Sequence, residues 1–128
     1  MSGAKPSNEL ARALREAVAL HQAGRLDQAQ SLYERVLKSD PHNDDALNLL
    51  GVIAQARGQI EQARQLFERA IRSNPAAADF HFNLGNLQMA ANERLAALVA
   101  FEKALALKQD HAAALLNAGV VLEQLGRY

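Results

Sequence analysis

The chain has 128 residues, 49% of them hydrophobic and 22% charged, with 14 basic side chains balanced by 14 acidic ones and no cysteine. That size fits one domain able to bury roughly two thirds of its unfolded surface, the charge balance lacks the cationic excess of a nucleic-acid or acidic-membrane binder, and the missing thiols exclude disulfides, thiolate metal sites and cysteine catalysis. No run of about 18 apolar residues is present to span a bilayer and the opening MSGAKPSNE lacks the apolar core of a secretory signal. A cytoplasmic setting is therefore expected, with neither nucleic acid nor membrane as partner.

Residues 1–7 contain Gly3, Pro6 and two serines and read as a frayed tail, with helix beginning near Asn8, a good N-cap. Leu10, Ala13, Leu14, Ala17, Val18 and Leu20 keep a helical period up to Gly24, and a partner helix runs from about Leu26 to Lys38 on a stripe of Leu26, Ala29, Leu32, Tyr33, Val36 and Leu37. The link SDPHND stops and restarts the chain: Pro41 disfavours helical geometry at Asp40, and Asn43 can cap the next helix. Helices are expected near 44–57 and 60–73, then a second stop at Asn74 and Pro75, helices near 78–91 and 94–107, and a last one near 112–125.

Self-similarity organises these elements. Pro41 and Pro75 stand 34 residues apart and close the matching phrases YERVLKSDP and FERAIRSNP, which divides the chain into residues 10–43, 44–77, 78–111 and an incomplete unit, 112–128. A small residue recurs eight positions into each unit (Ala17, Gly51, Gly85, Gly119), where two helices can approach closely. A second small residue (Ala29, Ala63, Ala97), an aromatic four further on (Tyr33, Phe67, Phe101) and a third set (Val36, Ala70, Ala104) share one helix face. Gly24, Gly58, Asn92 and Gly126 occupy one register between the two halves of each unit, and all tolerate a positive φ, as a helix that ends and restarts at once requires.

The spacing of Leu50, Gly51, Ala63, Phe67, Ala70 and Pro75 resembles the tetratricopeptide repeat (TPR), over residues 10–128. Gln109 replaces the expected proline, Glu16 stands at a usual leucine and Gln88 at a usually apolar place, departures that loosen local packing. The resemblance implies an all-α fold: a right-handed α-solenoid of antiparallel helix-turn-helix hairpins spanning residues 8–128, with three full repeats plus the first helix of a fourth.

It also implies that first helices line a concave wall, with positions 2, 5, 6, 9, 12 and 13 of each unit facing the groove. Here these include Arg15, Val18, His21 and Gln22, then Asp45, Asn48, Leu49, Val52 and Gln55. The third unit adds Asp79, Phe82, Asn83, Asn86 and Met89, and the fragment adds Leu116, Asn117, Val120, Glu123 and Gln124. Asn83 and Asn117 lie 34 residues apart and are expected to stand one above the other, each offering a carbonyl and an NH2 to a peptide bond. The phrases FNLGN and LNAGV around them resemble the asparagine ladder of TPR segments preceding O-linked N-acetylglucosamine transferases, with Leu49 and Arg15 breaking the ladder upstream. A chaperone-type carboxylate clamp is disfavoured, because it needs lysines and arginines on several first helices and the groove supplies essentially Arg15.

Chemistry is not expected. The histidines His21, His42, His81 and His111 fall in separate places without a recognised metal spacing, no glycine-rich phosphate loop is present, and Glu34-Arg35, Glu68-Arg69 and Glu102-Lys103 read as solvated charge. No catalytic residue, metal or cofactor is assigned. The expectation is a protein-protein interaction module that binds an extended peptide or a partner helix in its concave groove, a ligand the sequence does not name. Leu115, Leu116, Val120, Val121 and Leu122 give the last helix a broad apolar surface without a partner helix. Two readings account for it, the recognition arm of a longer protein-modifying transferase or self-association of copies through residues 112–128, with Leu115, Val121 and Leu122 at the contact.

Overall fold

A computed structural model describes the backbone of residues 6–126 and the side chains of residues 8–126. Seven helices account for the regular structure among them: α1 (Pro6–Gln22), α2 (Leu26–Ser39), α3 (Asp44–Ala56), α4 (Ile60–Ser73), α5 (Ala78–Ala90), α6 (Arg94–Leu107) and α7 (Ala112–Gly126). α1 starts two residues before the expected Asn8. A proline is accommodated at a first helical position because the N–H it lacks has no intrahelical acceptor there. The remainder of the expected tail lies outside the described residues.

The tight turns are where the sequence puts them. Gly24, Gly58 and Asn92 have φ of 80°, 75° and 65°, so the chain reverses in a left-handed residue and the second helix of each hairpin begins two residues later. Gly126 departs from that expectation: it ends α7 without a positive φ, and the residues after it lie outside those described. At the links, Asn43 accepts a 3.0 Å bond from the Ala46 N–H and so caps α3.

Each hairpin closes by a large side chain of its second helix filling the space over a small residue of its first. Tyr33, Phe67 and Phe101 are fully buried, as are Ala29, Ala63 and Ala97 one turn before them and Val36, Ala70 and Ala104 after them. A Cβ built on Gly51 would stand 2.5 Å from the Phe67 ring, and one on Gly85 would stand 2.6 Å from Phe101. The glycines are required by the approach. Full burial of such a ring contributes on the order of 1.5–3 kcal/mol. Between hairpins, Tyr33 and Val36 share a buried cluster with Leu50 and Ile53. Leu47, Ala70 and Phe80 form another and Ala54, Ala63, Phe67 and Leu87 a third, so each of these hairpins packs on its predecessor.

All the substantial contacts join helices successive in the chain or the first helices of successive hairpins. α3 touches α5 and α5 touches α7, whereas no pair of second helices meets to that extent, so the stack closes toward its first helices. This is the α-solenoid expected. No helix among the described residues is long and apolar enough to cross a membrane.

Candidate functional site

The side chains assigned to a groove lie on α1, α3, α5 and α7, and they divide into free and engaged. Arg15, Asp45 and Asp79 are exposed, Val120 is exposed on α7, and Val52, Phe82, Asn83, Asn86 and Asn117 are half-buried. Asn48 is different: at 7% exposure it is a buried residue of α3, and its Oδ1 accepts a 2.9 Å bond from Asn83 Nδ2. Asn117 Nδ2 donates in the same way to Asn86 Oδ1, at 2.7 Å.

These two bonds re-order the asparagine row. They form two rungs, Asn48–Asn83 and Asn86–Asn117, each tying one first helix to the next. The reason is reach: an amide on one first helix meets the preceding helix at the level of an asparagine there, which position 5 supplies in α3 and position 9 supplies in α5. Each rung consumes one N–H of the donor. Among the described residues, Asn83 and Asn117 each keep a carbonyl oxygen and a second N–H for a ligand.

A second polar junction joins α5 to the start of α7. His111 precedes α7 by one residue, and its Nδ1 accepts a 3.1 Å bond from the Ala114 N–H, so the imidazole caps the helix as Asn43 caps α3. With Nδ1 accepting, the proton of the neutral ring sits on Nε2, which donates to Asp79 Oδ1 at 2.9 Å. Phe82 packs on this ring, centroids 4.8 Å apart, and on Phe101 at 5.9 Å. Phe82 and Asp79 are thus part of the wall's own construction as well as its surface. Sequence reading placed His111 in a link; the signal for its cap was its register, the same as that of Asn43.

Charge on the wall is negative. Asp45 and Asp79 line a cleft of about 530 Å³ with Asp44, Asn74, Phe80 and Lys108, against Arg15 alone as a basic groove residue. The Asp45 carboxyl is held above its ordinary value, first by burial and second by the charge of Asp44 beside it. Among the described residues, no group of three or more histidines and carboxylates is placed to hold a metal ion. His21 lies 3.3 Å from the Tyr33 hydroxyl and His81 Nε2 lies 2.9 Å from the Pro75 carbonyl, so both histidines serve local structure.

At the far end, Leu115 and Leu122 are 54% and 55% exposed, while Val121 is fully buried. Val121 therefore does not belong to an exposed contact surface: it turns back into the cluster of Ala97, Phe101 and Ala118. One residue along a helix is a rotation of about 100°, enough to separate the two fates.

Family models described as tetratricopeptide repeat match residues 20–81 and residues 84–128. A comparison with curated proteins returns no match. Among solved structures, an O-GlcNAc transferase of Thermobaculum terrenum is similar over 95% of this chain at 28% identity with a TM-score of 0.89, the likeness covering 23% of the transferase chain. The chain thus spans about a quarter of that protein's length. The Sgt2 TPR domain of Aspergillus fumigatus matches 95% of this chain and 81% of its own with a TM-score of 0.85 at 21% identity. The first TPR of Spaghetti (RPAP3), bound to the HSP90 peptide SRMEEVD, matches 98% and 99% with a TM-score of 0.88 at 15% identity. These last two are likenesses of fold.

Proposed function

From the premise that this chain belongs to the tetratricopeptide repeat family, we propose that it is a cytoplasmic, non-catalytic module that holds an extended peptide along its first helices. The observation that carries this is the pair of asparagine rungs. Each rung fixes an amide by a bond to the neighbouring helix, and the carbonyl oxygen and second N–H of Asn83 and Asn117 are the groups that would meet a peptide bond. An amide held in this way matches the donor and acceptor of a peptide bond and binds a backbone without reading its side chains. Val52, Phe82 and Val120 supply apolar contact between the polar points, and Asp45 and Asp79 favour a peptide that is neutral or basic where it passes the cleft. The HSP90 peptide SRMEEVD held by Spaghetti is acidic at its end, a chemistry that Arg15 alone does not serve here.

Peptides selected from a random library displayed on phage test this reading. With Asn83 and Asn117 both changed to alanine, the selected peptides are expected to bind roughly tenfold or more weakly, since each hydrogen bond is worth about 1 kcal/mol. Unchanged affinity removes the ladder from the site. Enrichment of peptides ending in acidic residues would overturn the preference assigned to the cleft.

The similarity to the T. terrenum transferase favours a second reading, in which the same wall is the recognition arm of a larger protein-modifying enzyme. The gene sequence immediately downstream of the Tyr128 codon decides it. A frame that continues into further repeats and a transferase domain supports the arm, and a stop codon after Tyr128 removes it.

A further inference from the structure

One groove occurs twice, each time walled by the second helices of successive hairpins. The copy between α2 and α4 holds about 340 Å³ over a floor of α3, and the copy between α4 and α6 holds about 510 Å³ over a floor of α5. Their polarity is exchanged. The first has an apolar floor of Leu50, Ile53 and Ala54, with the exposed Gln62 and Gln65 on its α4 wall. The second has His81 and Gln88 in its floor, with the exposed Ala96 and Val99 standing on α6 where α4 has those two glutamines. The register of His81 and Gln88 is apolar in every other first helix: Ala13 and Leu20 in α1, Leu47 and Ala54 in α3, Leu115 and Leu122 in α7.

The polar floor is short of donors. Gln88 Oε1 is enclosed and receives no hydrogen bond from any described residue, although a buried acceptor ordinarily has one and loses stability without it. His81 Nε2 donates to the Pro75 carbonyl at 2.9 Å, so the lone pair of the neutral ring lies on Nδ1, which no described donor reaches. Above this floor the apolar wall stays in water, with Val99 50% exposed. Arg72 and Lys103 stand on opposite walls with Glu68 as the one carboxylate beside them, so positive charge is in excess. His81 and Gln88 lie on the side of α5 away from Asn83 and Asn86, so this groove is separate from the asparagine rungs.

We propose that the groove between α4 and α6 is a binding site for a small amphipathic acid, a flat apolar body that bears one N–H donor and one carboxylate. The body lies along Ile71, Leu84, Ala96 and Val99. Its N–H meets Gln88, whose terminal torsion is soft enough for the amide to turn its oxygen into the groove and gain the bond it lacks. Its carboxylate meets Arg72 and Lys103 in charge-assisted bonds. An apolar recess of this volume with a few convergent polar groups is the usual form of a small-molecule site.

The test titrates the full chain, isotopically labelled for amide NMR, with indolepropionate. Saturable shifts at Leu84, Gln88 and Val99 are expected below about 10 mM, the range open to a ligand of this size. N-methylindolepropionate, which has no donor, and indolepropanol, which has no carboxylate, are each expected to bind roughly fivefold or more weakly. Gln88→Met, which returns an apolar side chain to the register, is expected to bind the N–H and N-methyl ligands alike. The double variant Arg72→Gln, Lys103→Gln is expected to bind the acid and the alcohol alike. Unchanged helical circular dichroism marks these variants as folded, and the Asn83 and Asn117 double alanine variant is expected to bind indolepropionate normally. Absence of saturable binding overturns the proposal, as do shifts centred on Gln62 and Gln65 or on the asparagine rungs. So does a preference for the N–H ligand that survives Gln88→Met.

Discussion

The first two hairpins solve one crossing in two ways. In α3–α4 the floor is Gly51 and the knob is Phe67, with the ring pressed so close that the glycine admits no Cβ. In α1–α2 the floor is Ala17, fully buried beside Tyr33, and the knob carries a hydroxyl 3.3 Å from His21 Nδ1. The crossing thus admits more than one pair, Ala17 with Tyr33 being larger than Gly51 with Phe67 at both members. A floor that keeps its methyl is matched by a phenol with a polar partner of its own, and a bare floor is matched by a ring without a polar group.

Making the second hairpin imitate the first gives the larger effect. Gly51→Ala gains about 1 kcal/mol of helix propensity but sets a methyl against a ring that has no room to retreat, at about 1–3 kcal/mol. The expected net result is a destabilisation on the order of 1 kcal/mol, read as a lowered urea midpoint with an unchanged slope. The same change at Gly119, where the space is open, is expected to stabilise by about 0.5–1 kcal/mol. Equal signs at the two positions would mean that the ring contact is not what separates them.

A smaller effect comes from making the first hairpin imitate the second. Tyr33→Phe removes the bond to His21, at about 0.5–1 kcal/mol near neutral pH, and changes the alkaline behaviour. Burial pushes the Tyr33 hydroxyl up to about 12, whereas in the unfolded chain it ionises near 10. As pH rises through that interval the unfolded state releases the proton first, so stability is lost between about 10 and 12. Urea denaturation across that range is expected to show a smaller loss for Tyr33→Phe. An identical pH dependence in both proteins would place the alkaline loss elsewhere.

A sequence period encodes requirements of backbone and volume, and those were readable in advance. The prolines at 41 and 75, the positive-φ residues Gly24, Gly58 and Asn92, and the recurring small and aromatic positions are of this kind, so they set the helix limits to within about two residues. The same register placed Asn83 and Asn117 on the wall. It did not say where their NH2 groups would go, because that depends on the distance to an asparagine of the neighbouring helix, and Asn48 and Asn86 are outside any fixed ladder. Val121 and Leu122 show a second limit. Both are apolar, and only the position of α6 decides which of them is covered. The cap supplied by His111 was legible in principle, since Asn43 stands in the same place, but an imidazole accepts a backbone N–H only in one tautomer.

Because every substantial contact joins near neighbours along the chain, contact order is low and folding is expected to be fast, with no distant ends to bring together. The same wiring makes unfolding a local matter. A hairpin at either end can open without dislodging the one beyond its neighbour, so amide exchange should be quickest at α1 and α7 and slowest around Phe67, and a pull on the ends should release the chain one hairpin after another, like links drawn from a coil.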